Sequence, residues 1–117
     1  MSQDQKIYEL EEREKQFLSA ALAKARTWLD DPDDLLKLEA LDKLYTDCLP
    51  DIRNGSTDRA EAIDVLGTAY GNLLVQNGFR WIVVEDQYGT DYAVRHDATG
   101  VMAFPHSSVA KRLDTER

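Results

Sequence analysis

Three short apolar runs separated by glycine turns, between Gly78 and Arg112, constrain this chain more than any other feature. The runs are Phe79 to Glu85, Thr90 to Arg95 and Val101 to Phe104, with Tyr88-Gly89 and Thr99-Gly100 between them. Glycine tolerates the positive φ that tight hairpin turns demand. The spacing predicts three antiparallel strands in a meander. Pro105 ends the third, and Ser107 or Ser108 can cap a last helix carrying Val109, Lys111, Arg112 and Leu113. A three-stranded sheet cannot bury a face unaided, so a helical layer has to cover it. The preceding residues must supply that layer.

They carry the pattern for it. Ile7, Leu10, Phe17, Leu18, Ala21, Leu22, Ala25, Trp28 and Leu29 recur at helical spacing, after a capping-box pair at Ser2 and Gln5. The stripe predicts one helix from the N-terminus to about Leu29. Asp31 is placed to cap a second helix opening at Pro32, with Asp33 and Asp34 in its first turn, where negative charge offsets the helix dipole. These acids lack the ligand spacing and central glycine of a calcium loop. Leu35, Leu38, Leu41, Leu44, Tyr45 and Cys48 face a core, and Pro50 is expected to end that helix. A breaker-rich loop over 50–57 follows. A third helix starts near Asp58, with Ala62, Ile63, Leu66, Ala69, Tyr70, Leu73 and Leu74 as its stripe and Asn77-Gly78 as its end. Gly67 and Gly71 share one face of it and imply close approach by another element. The expected architecture is α+β: one domain over 1–117, mainly helical over 1–77, sheet plus terminal helix over 78–117.

The formal net charge of −8 is carried unevenly. Residues 1–64 hold 16 acids and 9 bases, residues 65–117 hold 6 and 5. This balance argues against nucleic acid as the main partner, because phosphate binding needs a basic face. It suits a protein that meets a basic partner. A lone cysteine, Cys48, rules out an intrachain disulfide and a cysteine-based zinc site. No apolar run approaches the ~20 residues of a membrane helix, and the charged stretch from Met1 to Leu10 lacks a signal-peptide core. The expectation is a cytoplasmic protein with no membrane association and no cofactor.

The segment from Leu66 to Arg112 also resembles a known bacterial family. The residues that carry the resemblance are the paired glycines, Gly78-Phe79-Arg80-Trp81, Tyr88-Gly89, and the run from Phe104 to Arg112 with its Pro-x-Ser-x-hydrophobic-x-Lys-Arg pattern. The family is a domain of unknown function. The resemblance implies a small bacterial α+β protein and transfers no catalytic residue. Its small acidic members are similar in build to immunity proteins that neutralise bacterial toxins.

No catalytic set emerges from the residues themselves. Ser107 or Ser108 with His96 and Asp97 lacks the nucleophile-elbow context of a hydrolase. The only histidines, His96 and His106, have no metal-ligand spacing. Two readings remain. In the first, the chain is a non-catalytic protein-binding module, an immunity or adaptor protein. Trp81, Tyr88, Tyr92, Arg80 and Arg95 supply the residue types found at interface hot spots. In the second it binds a small molecule or anion, or is an enzyme of a type that no motif reveals. There Ser107, Ser108, Lys111 and Arg112 surround a helix start that favours negative charge, and a pocket lined by Tyr70, Trp81 and Arg112 lies against the glycine face.

Overall fold

The computed structural model describes residues 5–115 and is α+β, with an antiparallel sheet of four strands in the order β1-β2-β3-β4. β1 is Lys6–Tyr8, followed by α1 (Glu12–Trp28), a 3-10 turn (Pro32–Leu36), α2 (Leu38–Arg53) and α3 (Arg59–Val75). Then come β2 (Phe79–Asp86), β3 (Gly89–His96), β4 (Met102–Ala103) and α4 (Pro105–Thr115).

The first departure from expectation is β1. Ile7 lies at helical spacing from later apolar residues, yet Lys6–Tyr8 is extended and pairs antiparallel with Val83–Glu85 of β2. Pairing to an otherwise open edge of β2 gives these residues backbone partners that an exposed helical turn would not improve on. α1 therefore starts only at Glu12, and the Glu14 carboxylate accepts a hydrogen bond from the Glu11 N–H at 2.6 Å. Ser2, the expected cap, lies outside the described residues.

Three further boundaries move. Asp31 does cap, its side chain accepting from the Asp33 N–H at 3.0 Å, but the helix it opens is the 3-10 turn. That turn breaks at Lys37 before α2 begins. Pro50 does not end α2, which runs on to Arg53. The fixed φ of proline is helical, so the chain continues past it at the cost of the backbone hydrogen bond to the carbonyl four residues back. Pro105 occupies the first position of α4, so Ser107 and Ser108 lie inside the helix and not at its cap. Asp58 caps α3 as expected, accepting from the Glu61 N–H at 3.0 Å.

The inner face of the sheet meets the helices through aromatic rings. By alternation Trp81 and Val83 of β2 share a face with Tyr92 and Val94 of β3, and the register pairs them as Trp81↔Val94 and Val83↔Tyr92. Tyr92 stacks on Phe17 of α1, ring centroids 5.4 Å apart and planes 4° from parallel. His106 of α4 lies 5.7 Å from Trp81 and 5.5 Å from Tyr92, centroid to centroid. The space for these rings comes from α3. A Cβ at Gly67 would sit 2.5 Å from His106 Cδ2 and 2.8 Å from its Cα, and one at Gly71 would overlap the Trp81 indole. The helical core lies behind them, with Leu41, Tyr45, Ala62, Val65, Leu66 and Ala69 essentially without solvent contact.

Replacing either glycine should therefore cost stability although alanine is the better helix former. Overpacking of this kind costs about 1–3 kcal/mol, against about 1 kcal/mol of helix propensity gained. We expect Gly67→Ala and Gly71→Ala both to lower the urea midpoint. Gly71→Ala should also shift Trp81 fluorescence. An unchanged or raised midpoint for both would show that the seam has slack.

Candidate functional site

The outer face of the sheet holds a groove that collects four of the nominated residues, Tyr88, Ser107, Ser108 and Lys111. There Ile82, Val84 and Ala93 form a small buried cluster closed by Met102 and Phe104. Period-two alternation puts Asp86 on the same face as Val84, and the register sets Asp91 opposite Val84. The β2–β3 turn rises at one end, and the first turns of α4 wall the side. Together they enclose a groove of about 830 Å3, lined by Val84, Asp86, Tyr88, Met102, Phe104, Asp91, Ser107, Ser108 and Lys111 among others.

Its polar groups are arranged by local geometry. The Asp86 carboxylate accepts from the Tyr88 N–H at 2.8 Å and stiffens the turn. Tyr88 is thereby held out with 87% of its surface exposed. Ser107 donates from Oγ to Asp91 Oδ2 at 2.5 Å. Of the charged side chains lining the groove, two are carboxylates and one is an ammonium.

The other nominated residues lie elsewhere. Trp81 and Tyr92 are half-buried against the helices on the inner face. Arg80 donates from Nε to both oxygens of Asp97, at 3.0 and 2.8 Å, and from an Nη to Glu9 at 2.7 Å. Its pKa is raised by these hydrogen bonds, that to Asp97 first. Arg95 stands opposite Arg80 on β2 and Met102 on β4. Arg112 turns from the groove: its guanidinium carbon lies 3.9 Å from the Tyr45 ring centroid, and a guanidinium nitrogen lies 3.7 Å from Asp42. Asp42 also accepts from the Tyr70 hydroxyl at 2.5 Å. Burial first, and then this bond, push the Tyr70 pKa up.

The four residues nominated for an anion thus divide. Ser107, Ser108 and Lys111 line the groove beside Asp86 and Asp91, and Arg112 does not. The pocket expected against Gly67 and Gly71 is filled by His106, Trp81 and Pro105. The parts of the imagined hydrolytic set each have other partners: Ser107 holds Asp91, Asp97 holds Arg80, and His96 Nδ1 lies 3.2 Å from Thr99 Oγ1. The Cys48 thiol is pushed up by burial, and then by Asp47 and Asp51, which disfavours a nucleophilic thiolate.

Sequence reasoning missed Asp86, Asp91, Met102 and Phe104 as groove residues. The alternation was there to read: Ile82, Val84 and Asp86 share one parity, and Asp91 and Ala93 share the facing one. A second cleft, of about 570 Å3, opens in the helical half between Trp28, Leu29, Leu44 and Cys48, rimmed by Asp30, Asp34, Asp47 and Asp51 with Lys43. Lys43 pairs with Asp47 at 2.6 Å. No helix of the described residues is long and apolar enough to cross a membrane.

A family profile described as Domain of unknown function (DUF3806) matches residues 50–117. Comparison with curated proteins and with solved structures returned no match.

This geometry separates Tyr88 from Trp81 among the nominated aromatics. Tyr88→Ala should leave the unfolding free energy within about 0.5 kcal/mol of wild type, as surface changes do. Trp81→Ala empties space beside Gly71 and should cost about 3 kcal/mol. Urea denaturation of the two variants checks this. A large loss for Tyr88→Ala would mean that it serves the fold.

Proposed function

The chain belongs to the DUF3806 family of unknown function, and from its geometry we propose that it is a non-catalytic protein-binding module whose outer sheet face receives a basic segment of a partner. One observation carries the reading. A concave, apolar-floored groove lies beside a fully presented tyrosine, and its charged rim is two carboxylates to one ammonium.

Each part has a physical role. Met102 and Phe104, which stay partly exposed over the buried Val84, offer apolar surface to an incoming side chain, worth about 25 cal/mol per Å2 removed from water. Tyr88 supplies a rigid anchor of a kind enriched at interface hot spots. Asp86 and Asp91 prefer Lys or Arg over acidic residues. The net charge of −8, concentrated in the helical half, speeds encounter with a basic protein. A small acidic protein that covers a basic partner fits an immunity or adaptor role in the cytoplasm.

The anion-binding alternative loses support at the same place. An anion in the groove would meet Asp86 and Asp91 with Lys111 as the only lining cation, Arg112 being turned toward Tyr45.

Capture of partners by the tagged protein from its own cell lysate tests the proposal, at about 50 mM and about 500 mM salt, where the screening length falls severalfold. We expect one dominant basic polypeptide, weakened by salt. Tyr88→Ala should reduce its affinity at least tenfold, as loss of a hot spot does, and Asp86→Asn with Asp91→Asn should slow its association. Equal capture by wild type, by Tyr88→Ala and by the Asp86→Asn, Asp91→Asn double variant would overturn the reading.

A further inference from the structure

Among the described residues His106 and Thr68 are the buried polar side chains. His106 is 7% exposed. Its ring lies over the bare backbone of Gly67 and between Trp81 and Tyr92. Nε2 sits 2.9 Å from Thr68 Oγ1. Nδ1 is buried and has no hydrogen-bond partner among the described residues. A buried nitrogen without a partner is rare in folded proteins and calls for an explanation. A neutral imidazole with its proton on Nε2 leaves Nδ1 as a bare acceptor, which this site can hold. An imidazolium carries a donor on both nitrogens, and here the second has nowhere to point.

The groups facing the ring offer little compensation. From α3 they are the Thr68 hydroxyl and the Asp64 backbone carbonyl; the pKa of the Asp64 carboxyl is raised by burial and then by Asp58 and Glu61. From β3 they are the Tyr92 phenol and the Asp91 carboxylate, the latter already accepting from Ser107. From β2 it is the uncharged Trp81. α4 adds Lys111 and Arg112, a turn or more further along. Burial lowers the pKa of His106 against the opposing pull of Asp91 and the Asp64 carbonyl.

We propose that His106 is a proton-operated latch that holds α4 on α3 and the sheet, and that protonation of its ring releases α4 while the remaining helices stay folded. α4 buries Pro105, His106 and Val109 and is tied further by Ser107 to Asp91, by Arg112 over Tyr45 and by Arg59 to Asp114, so an unfavourable charge at one of its three buried residues weighs on its docking. α3, by contrast, buries seven residues and packs against α1 and α2 as well. The sign follows from linkage. The imidazole is harder to protonate in the docked state than in the released one, so docking is fully favoured above the free pKa of about 6.5 and is lost as pH falls below it. The opening equilibrium should rise about tenfold per pH unit from there down to the docked-state value. The consequence for binding rests on the groove reading above, because α4 carries Ser107, Ser108 and Lys111; the latch itself does not.

Hydrogen exchange of the full chain, corrected for intrinsic rates, tests it with no ligand present. Between about pH 7.5 and 5, amides of residues 106–115 should lose protection severalfold while those of 62–69 keep theirs. His106→Gln, which cannot take up the proton, should flatten this dependence, and His96→Asn should not alter it. Unchanged protection of α4 in wild type, or simultaneous loss in α3 and α4, would overturn the latch. If His106→Gln does not fold, the imidazole C–H shift of His106 and α4 exchange in wild type must share one midpoint, and separate midpoints overturn it equally. Tyr88→Ala should leave the latch intact, so a failed partner capture and a failed latch are told apart.

Discussion

The close approach of α4 and the sheet to the bare backbone of α3 is the contact on which the rest depends. Gly67 and Gly71 stand one turn apart, and a β-carbon at either would enter His106 or Trp81. Without that clearance the Trp81, Tyr92 and His106 rings could not share one layer between helix and sheet. That layer sets the height of β2 and β3 over α3, and α4 is pinned by the same histidine. Two residues that weaken an isolated helix by about 1 kcal/mol each are what let the helical and strand halves close on each other.

Closing the inner face this way leaves the outer one with a different character. It is sealed by short local contacts among Ile82, Val84, Ala93, Met102 and Phe104 rather than by a helix. α4, pinned at His106, leans over its edge and turns a shallow sheet surface into a groove. The groove's electrostatic sign is decided by which side chains arrive. Asp86 and Asp91 come with the strands, Lys111 comes with α4, and Arg112, one residue later, leaves for Tyr45 and Asp42. The one-residue difference in direction along α4 is what shifts the balance from anion to cation.

Much of the fold was legible because its signals are local. The Asp31 and Asp58 caps, the apolar stripe of α3 and the turns at Gly89 and Gly100 each depend on a few neighbouring residues. β1 was not legible. Three residues are too few to show a period, and its pairing to β2 spans the chain from Ile7 to Val84. The site was half legible. Tyr88, Ser107, Ser108 and Lys111 could be nominated from turn and helix-start chemistry. Asp86, Asp91 and Met102 join them only once the strand register is known. Trp81 and Tyr92, aromatic like Tyr88, face inward because of their strand parity and the gap that α3 leaves for them.

The sequence by itself determined the α+β class, the clearance on α3, the acidity of the helical half and the turn that presents Tyr88. All follow from residue type and short-range spacing. Only the tertiary structure decided that His106 is buried with one nitrogen unpaired, that β1 extends the sheet, and that Arg112 abandons the other three residues grouped with it. Those outcomes depend on which distant side chains meet, and that is set by packing geometry between elements far apart along the chain.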